Sequence, residues 1–253
     1  MTTYDTILFE EQGSIGRLTL NRPETLNALN QVMLEELEDL FTALAESEEI
    51  RVLILTGAGD KGFCSGMDMK ETAAKMFEAD PATIYSAQSR GAQLIYKLRC
   101  LPQPVICAVH GAASGVGFSL ALASDVRVIT PQARFNAAYI NIGLGGADLA
   151  SSYFLPRLIG SGRANEYLLT GDFITSDDAM QLGLASRVVL KEQLLDTACE
   201  IANKMVSKTP LGLKMTKEAI NQNLAASSLE QALHLENRNQ AFMIAALKIA
   251  NKP

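Results

Sequence analysis

Glycine clusters and one acidic loop are the parts of this sequence whose residue types could do chemistry. The run "RVLILTGAGDKGFCSG", Arg51 to Gly66, holds a G-x-G-x-x-G at Gly57, Gly59 and Gly62. A dinucleotide fingerprint needs such glycines at a strand-to-helix turn, with an acid about 20 residues further on at the end of the next strand. Here Phe63 and Gly66 interrupt any helix starting inside the motif, and the acids near the right distance, Glu78 and Asp80, fall in "AAKMFEADPAT", which reads as helix and turn. The near-matches "GVGFSL" at Gly115 and "GLGGAD" at Gly143 lack the last glycine. A nicotinamide oxidoreductase is therefore a minor reading. A second use of glycine is to bare backbone N–H groups toward an anionic oxygen, where a Cβ would crowd it. "FCSGMD" follows a buried strand, and "GAASGVGFSLALA" enters a helix whose N-terminal amides carry partial positive charge. Together the two loops could form an oxyanion hole; alone, each is more simply a tight turn.

The elements that must position these loops follow from hydrophobic periodicity. Ile7–Glu10 and Ile15–Asn21 read as a hairpin about Gly13 and Ser14, and Met33, Leu34, Leu37, Leu40, Phe41 and Leu44 mark an amphipathic helix from Asn30 to about Glu46. Arg51–Thr56 and Val105–Val109 read as buried strands, Ile84–Leu98 as a helix, "DVRVIT" as a strand and "ARFNAAY" as an extended stretch before the "GLGGADLASS" loop. Strand and helix alternate, which predicts an α/β fold with crossover connections. Helical patterns dominate from Arg163, broken by Gly171, Gly183 and the short strand "SRVVL", and the chain reads as helical throughout from Glu192.

Composition limits the partners. The 253 residues are 48% hydrophobic and 20% charged, with a formal net charge of −6, so no basic surplus invites nucleic acid. The cysteines Cys64, Cys100, Cys107 and Cys199 have neither C-x-x-C spacing nor nearby histidines for a metal site, and fit a reduced compartment. "MTTYDTILFEEQ" has acids where a secretion signal needs a basic and then apolar stretch, and no apolar run is long enough to span a membrane. The expected location is the cytoplasm.

Five ordered segments carry a family resemblance: "LTLNRPETLNALN", "RVLILTGAGDKGFCSGMDMKE", "LPQPVICAVHGAASGVGFSLALASDVRV", "FNAAYINIGLGGADLASSYFLPRLIG" and "LLTGDFITSDDAMQLGLASRVV". From about Tyr4 to Leu190 the chain resembles the crotonase (enoyl-CoA hydratase/isomerase) superfamily. The resemblance implies a crotonase-like spiral of ββα units over residues 1–190 and a helical trimerisation region over 191–253, in a homotrimer or a hexamer of two trimers. It implies a coenzyme A thioester as substrate, with no separate cofactor or metal.

The resemblance also assigns residues. The oxyanion-hole amides would be those of Met67 and of Val116, the latter standing where the family usually has glycine; its β-branched side chain raises the expectation of a narrowed pocket or a changed φ. Hydratases of this family share a water between two glutamates, and those positions here hold Ser119 and Tyr139, so two-glutamate hydration is not expected. The single-glutamate Δ3-Δ2 isomerase route is disfavoured by Tyr139. The acid left in the neighbourhood is Asp148, as base for a carbon-bound proton or as nucleophile, or as N-cap of a helix beginning near Leu149. Tyr139 could donate a hydrogen bond or line the acyl pocket, and Ser119 could orient water or simply pack. Leu26, Asn27 and Ala28 after "NRPE", together with Cys64, Ser65, Gly66, Asp68 and Gly115, would lie along the coenzyme and acyl chain, although Leu26 replaces a basic residue and "ALKIANKP" lacks the family's "E-K-R-x-P-x-F" ending. Asp68 is expected to be a structural acid, Cys64 a buried small residue, and His110 a structural hydrogen-bonding group. The implied activity is acyl-CoA isomerisation or a related lyase or hydrolase reaction through Asp148; the alternatives are a non-catalytic acyl-CoA-binding protein and an atypical hydratase.

Overall fold

Strands covered on both faces need near-continuous apolar runs, and the order of those runs sets the architecture. The computed structural model describes residues 3–73, 76 and 78–250. β1 (Ile7–Gln12) and β2 (Ile15–Leu20) form the expected antiparallel hairpin. Helix α1 (Gln31–Glu46) follows, with the Asn30 side chain accepting the Met33 N–H at 3.0 Å as its N-cap. β3 (Val52–Gly57) and β4 (Gly62–Cys64) come next, then α2 (Pro81–Cys100), β5 (Val105–Val109), β6 (Ala112–Ser114) and α3 (Val116–Ala123). α2 begins three residues before the expected Ile84, because Asp80 caps it and Pro81 suits its first position. The helix expected over "AAKMFEADPAT" lies partly on residues 74, 75 and 77, outside the described residues.

β7 (Val126–Ile129) and β8 (Arg134–Asn136) complete the repeat. Each turn of the spiral gives one strand to a first sheet and the next to a second. With β9 (Ile174–Thr175) and β10 (Arg187–Val188), the first sheet runs β1-β2-β3-β5-β7-β10 and the second β4-β6-β8-β9. Pairings are parallel from β2 through β10 in the first sheet, and from β4 to β8 in the second. The expected spiral of ββα units is the observed fold.

Side-chain alternation along β3 divides the core. Leu53 and Leu55 point to the larger cluster, shared with α1, α2 and α3, while Val52 and Ile54 join Ile106, Ala108 and Val128 on the other face. That second face is covered by Leu194, Ala198 and Ala202 of a later helix.

Helices α4 (Ser151–Ile159), α5 (Ser161–Thr170), α6 (Ser176–Gln181) and α7 (Leu194–Val206) follow β8, and α7 is the one that closes the second core. The expected division at residue 190 therefore falls just before a helix that is integral to the sheet. The stretch expected to be continuously helical breaks into α7, α8 (Pro210–Asn223) and α9 (Leu229–Ala250), with Thr209 and Pro210 restarting the middle one. α8 and α9 run antiparallel: Asn223 Nδ2 donates to Glu236 Oε1 at 3.1 Å, and Gly212 lies against Met243. Phe242, Ile244, Leu247 and Ile249 of α9 are exposed.

Candidate active site

The opening glycines make a strand-to-strand turn. Gly59 takes φ +80° against Pro23, and a Cβ on Gly57 would stand 2.4 Å from the Phe63 carbonyl oxygen. The chain passes from β3 to β4 without entering a helix, so no pyrophosphate site forms there.

Beyond β4 the backbone is held on one edge only. Leu29 N–H donates to Gly66 C=O and Asp68 N–H to Leu29 C=O, both at 2.8 Å, in a parallel bridge between Leu29 and Met67. In such a bridge the central residue's own N–H and C=O face away from the partner strand. Met67 N–H is thus turned outward and has no acceptor among the described residues. Gly66, at φ +111°, makes the turn.

The second loop arrives from β6. Gly115 donates its N–H to Asn136 C=O at 3.1 Å and takes φ 54°, ψ −120°, a conformation that demands glycine. Val116 then opens α3, with its N–H free of any acceptor among the described residues. The special dihedral sits on Gly115, and the Val116 side chain is buried in the core, so the expected change of φ at Val116 does not occur. A Cβ on Gly115 would lie 3.5 Å from Gly66 Cα, which places the two loops back to back. A Cβ on Gly117 would meet the Cys64 carbonyl oxygen at 2.3 Å, so the third glycine lets α3 settle onto β4. At the far end of α3, the buried Arg127 guanidinium donates to the carbonyls of Ala121 and Ser124 at 3.1 and 2.7 Å, where the helix dipole favours a cation.

Ser119 and Tyr139 meet over these loops. Tyr139 lies in a 3-10 turn, Ala138–Ile142, rather than the expected extended stretch; the Asn136 amide, donating to Gly171 C=O at 3.0 Å, ties the end of β8 just before it. The ring's Cε1 lies 3.4 Å from the position a Gly115 Cβ would take, and the phenol oxygen is 3.4 Å from the buried Ser119 Oγ. Burial pushes the phenol well above its usual range; the Ser119 hydroxyl opposes this and the Asp148 carboxylate adds to it. The Tyr139 phenol therefore stays un-ionised.

Asp148 is not the cap of a helix starting near Leu149. Helix α4 starts at Ser151 behind Ala150, which contributes no side-chain cap. The Asp148 carboxylate instead accepts Leu149 N–H at 2.7 Å and the Gln88 amide through the same Oδ1, while Asp148 N–H donates to Ser151 Oγ at 3.1 Å. Gln88, on α2, is a neighbour that sequence reasoning missed, since it stands 60 residues away. A cleft of about 560 Å³ opens between α2, α4 and α8 and reaches Ala150 at its rim, and another of about 390 Å³ lies between α1 and α8; neither is lined by the two glycine loops or by Asp148.

The residues expected along the coenzyme are mostly committed to holding the chain. Leu26 and Asn27 are both left-handed, at φ 55° and 56°. The buried Asn27 side chain accepts Arg22 N–H at 3.0 Å and donates to Ala58 and Gly62 carbonyls at 2.9 and 3.1 Å, tying this loop to the β3–β4 turn. Leu26 C=O accepts Ser65 N–H at 3.0 Å and Ala28 C=O accepts the Arg22 guanidinium at 2.7 Å, so of these three carbonyls Asn27 C=O is the one without a partner among the described residues. Ser65 Oγ donates to Thr25 C=O at 3.2 Å.

Asp68 is locked in place. Its Oδ2 meets Arg22 at 2.9 Å, Arg22 also pairs with Glu71 at 3.0 Å, and Glu71 accepts Asn30 Nδ2 at 3.0 Å. Burial works to raise the Asp68 carboxyl, but the Arg22 hydrogen bond, the Glu71 and Lys70 amides and the guanidinium charge together hold it below the usual range. The buried Cys64 thiol is pushed up to about 12 by desolvation, which rules it out as a thiolate nucleophile. His110 is buried with Nε2 unpartnered among the described residues, and burial lowers its pKa; its expected structural bond is not made through that nitrogen.

Comparison with known proteins bears on the fold and the family. A family profile described as Enoyl-CoA hydratase/isomerase matches residues 10–251. The chain is 39% identical to the probable enoyl-CoA hydratase echA12 of Mycobacterium leprae, over 94% of this chain and 81% of that protein. It is 35% identical to the 1,2-epoxyphenylacetyl-CoA isomerase of Escherichia coli, over 92% of this chain and 88% of that one. Among solved structures, an enoyl-CoA hydratase from Bacillus anthracis superposes with a TM-score of 0.89 at 33% identity, covering 95% of this chain and 92% of that one.

Proposed function

Because the chain belongs to the enoyl-CoA hydratase/isomerase family, we propose that it isomerises an acyl-CoA thioester through an enolate, with Asp148 as the base. The observation that carries this reading is the pair of unpaired N–H groups, Met67 and Val116, on two loops held back to back by Gly66 and Gly115. A thioester oxygen between them gains two hydrogen bonds as it becomes negative, and an unpaired donor costs nothing to reorganise at that moment.

The Asp148 carboxylate takes a proton from carbon, and the electron pair moves to the thioester oxygen. Tyr139 returns a proton at a second carbon, its phenolate being met by the Ser119 hydroxyl and re-protonated from the Asp148 side, so the substrate's composition does not change. No cofactor or metal enters these steps. Cys64, Ser65 and Gly66 with Leu26, Asn27 and Ala28 flank the coenzyme, Asn27 C=O being free to accept a bond from it. The exposed apolar residues of α9 support assembly into a trimer or hexamer. The net charge of −6, with no basic surplus, supports a small molecule rather than nucleic acid as partner.

Hydration is the second reading, because the relatives include proteins named as enoyl-CoA hydratases. It would need a water held between Ser119 and Tyr139. A panel of acyl-CoA thioesters followed by mass spectrometry in D2O separates the readings. Isomerisation gives deuterium incorporation without net gain of water; hydration gives a water adduct. Asp148→Asn is expected to lower turnover by about a thousandfold with acyl-CoA affinity within about tenfold. Retained turnover in that variant removes Asp148 from the chemistry, and binding without turnover by the native chain leaves a non-catalytic acyl-CoA-binding protein.

A further inference from the structure

We propose that Gln88 is a positioning residue for the Asp148 carboxylate, dedicating Oδ1 to protein donors and leaving Oδ2 as the oxygen that meets substrate. This rests on the reading of Asp148 as the base. Oδ1 receives two donors, the Gln88 side-chain amide and Leu149 N–H, which fills both of its lone-pair directions. Oδ2 has no partner among the described residues. Of the donors to this carboxylate, Gln88 alone comes from outside its own loop.

The same face of α2 grips the next residue. Gly91, one turn beyond Gln88, faces the Leu149 side chain, with Cδ2 3.5 Å from where a Cβ would stand. Leu149 at φ 44° and Ala150 at φ 66° are both left-handed without being glycine, a backbone that persists only when its neighbours hold it. Ser151 Oγ holds Asp148 N–H from the other side and lies 3.4 Å from Gly146 C=O. The backbone of the turn is thus fixed by its own loop and by Leu149, while rotation of the carboxylate is limited by Gln88. A neutral amide suits that role, because it orients the carboxylate without adding a cation that would weaken it as a base.

Ranking substitutions at position 88 tests this. With 3-hexenoyl-CoA as probe, Gln88→Ala is expected to lower kcat about tenfold with KM within about twofold. Gln88→Lys, whose charge weakens the base but which keeps an N–H donor of similar reach, still retains more of the rate than Gln88→Ala; Gln88→Glu, the same shape without a donor, loses more. A packing role predicts the reverse, with Gln88→Glu nearest to the native enzyme, and that order overturns the proposal, as does an unchanged kcat in all three. A readout without substrate accompanies it: the Gln88 side-chain amide resonances in the free enzyme should shift in Asp148→Asn, and identical resonances also overturn the proposal. If Asp148→Asn turns over normally, the reading of Asp148 as base fails; if it is inactive while the position-88 variants match the native enzyme, only the positioning role fails.

Discussion

The two halves of the site are built on different principles. The two glycine loops proposed as the oxyanion hole are backbone, each hydrogen-bonded to a neighbouring segment, and their approach is set by Gly66 and Gly115, both at positive φ, and by Gly117, where a Cβ would stand 2.3 Å from the Cys64 carbonyl oxygen. The Asp148 loop is side-chain chemistry on a left-handed turn, held by the Leu149 and Ser151 contacts and by one amide from α2. On the proposed reading, charge stabilisation falls where the fold is over-determined, and the group that would decide which bond changes falls where a few substitutions re-aim it. A family that keeps one and varies the other can change reaction without changing fold.

The comparison breaks most severely at Gly117. Gly117→Ala puts a methyl 2.3 Å from the Cys64 carbonyl oxygen, so α3 must withdraw from β4 and carry Val116 N–H away from Met67. A stability loss of about 3 kcal/mol is expected, measured by chemical denaturation, together with a fall in turnover of at least about a hundredfold. Native stability in this variant would show that the close approach of α3 is not needed.

Asp68→Asn tests the anchoring of the first loop. It leaves Arg22 without its buried partner and is expected to cost about 3 kcal/mol near neutral pH. The sign of its pH dependence follows from the depressed carboxyl. The contribution is full above the unfolded aspartate value of about 4 and is lost as pH falls through the lower folded value, so the gap between native and variant stability closes in acid. A gap independent of pH down to about 2 would mean that the carboxylate charge is not what holds this loop.

Tyr139→Phe keeps the ring against Gly115 and removes only the hydroxyl beside Ser119. If the phenol returns the proton, turnover falls about thirtyfold with little change in acyl-CoA affinity. Unchanged turnover assigns Tyr139 to lining alone.

The same contrast explains what could be read from the sequence. Gly66, Gly115 and Gly117 show in the chain because the backbone conformations and close approaches they permit require glycine, and the ββα order shows in the alternation of apolar runs. The start of α4 does not show, because Leu149 and Ala150 adopt left-handed backbone with no glycine or asparagine to signal it, and Asp148 reads naturally as a cap. Gln88 is invisible for another reason: its partner is 60 residues away, and an exposed glutamine on a helix carries no local pattern. Tyr139 was legible as a replacement for a carboxylate, but its 3-10 turn depends on the anchoring of Asn136 to Gly171, a contact between distant segments.

The smallest effect is the most direct test of the contrast between the two regions. Ala150 is exposed and holds φ 66° as an ordinary residue. Glycine adopts that conformation without the steric penalty between Cβ and backbone, which is worth about 1 kcal/mol per residue. Part of that gain is offset by the greater freedom of glycine in the unfolded chain. Ala150→Gly should therefore raise stability by about 0.5 kcal/mol, read as a small increase in the denaturation midpoint at constant slope. The same change frees the turn that aims Asp148, so turnover should fall severalfold although the protein is more stable. A glycine introduced at Ser114, beside the oxyanion loop, should do neither: that backbone sits in β6, paired to β8, and gains no relief. If Ala150→Gly gains stability and keeps full turnover, the left-handed turn is strain without purpose, and the Gln88 amide and Leu149 N–H suffice to hold the carboxylate.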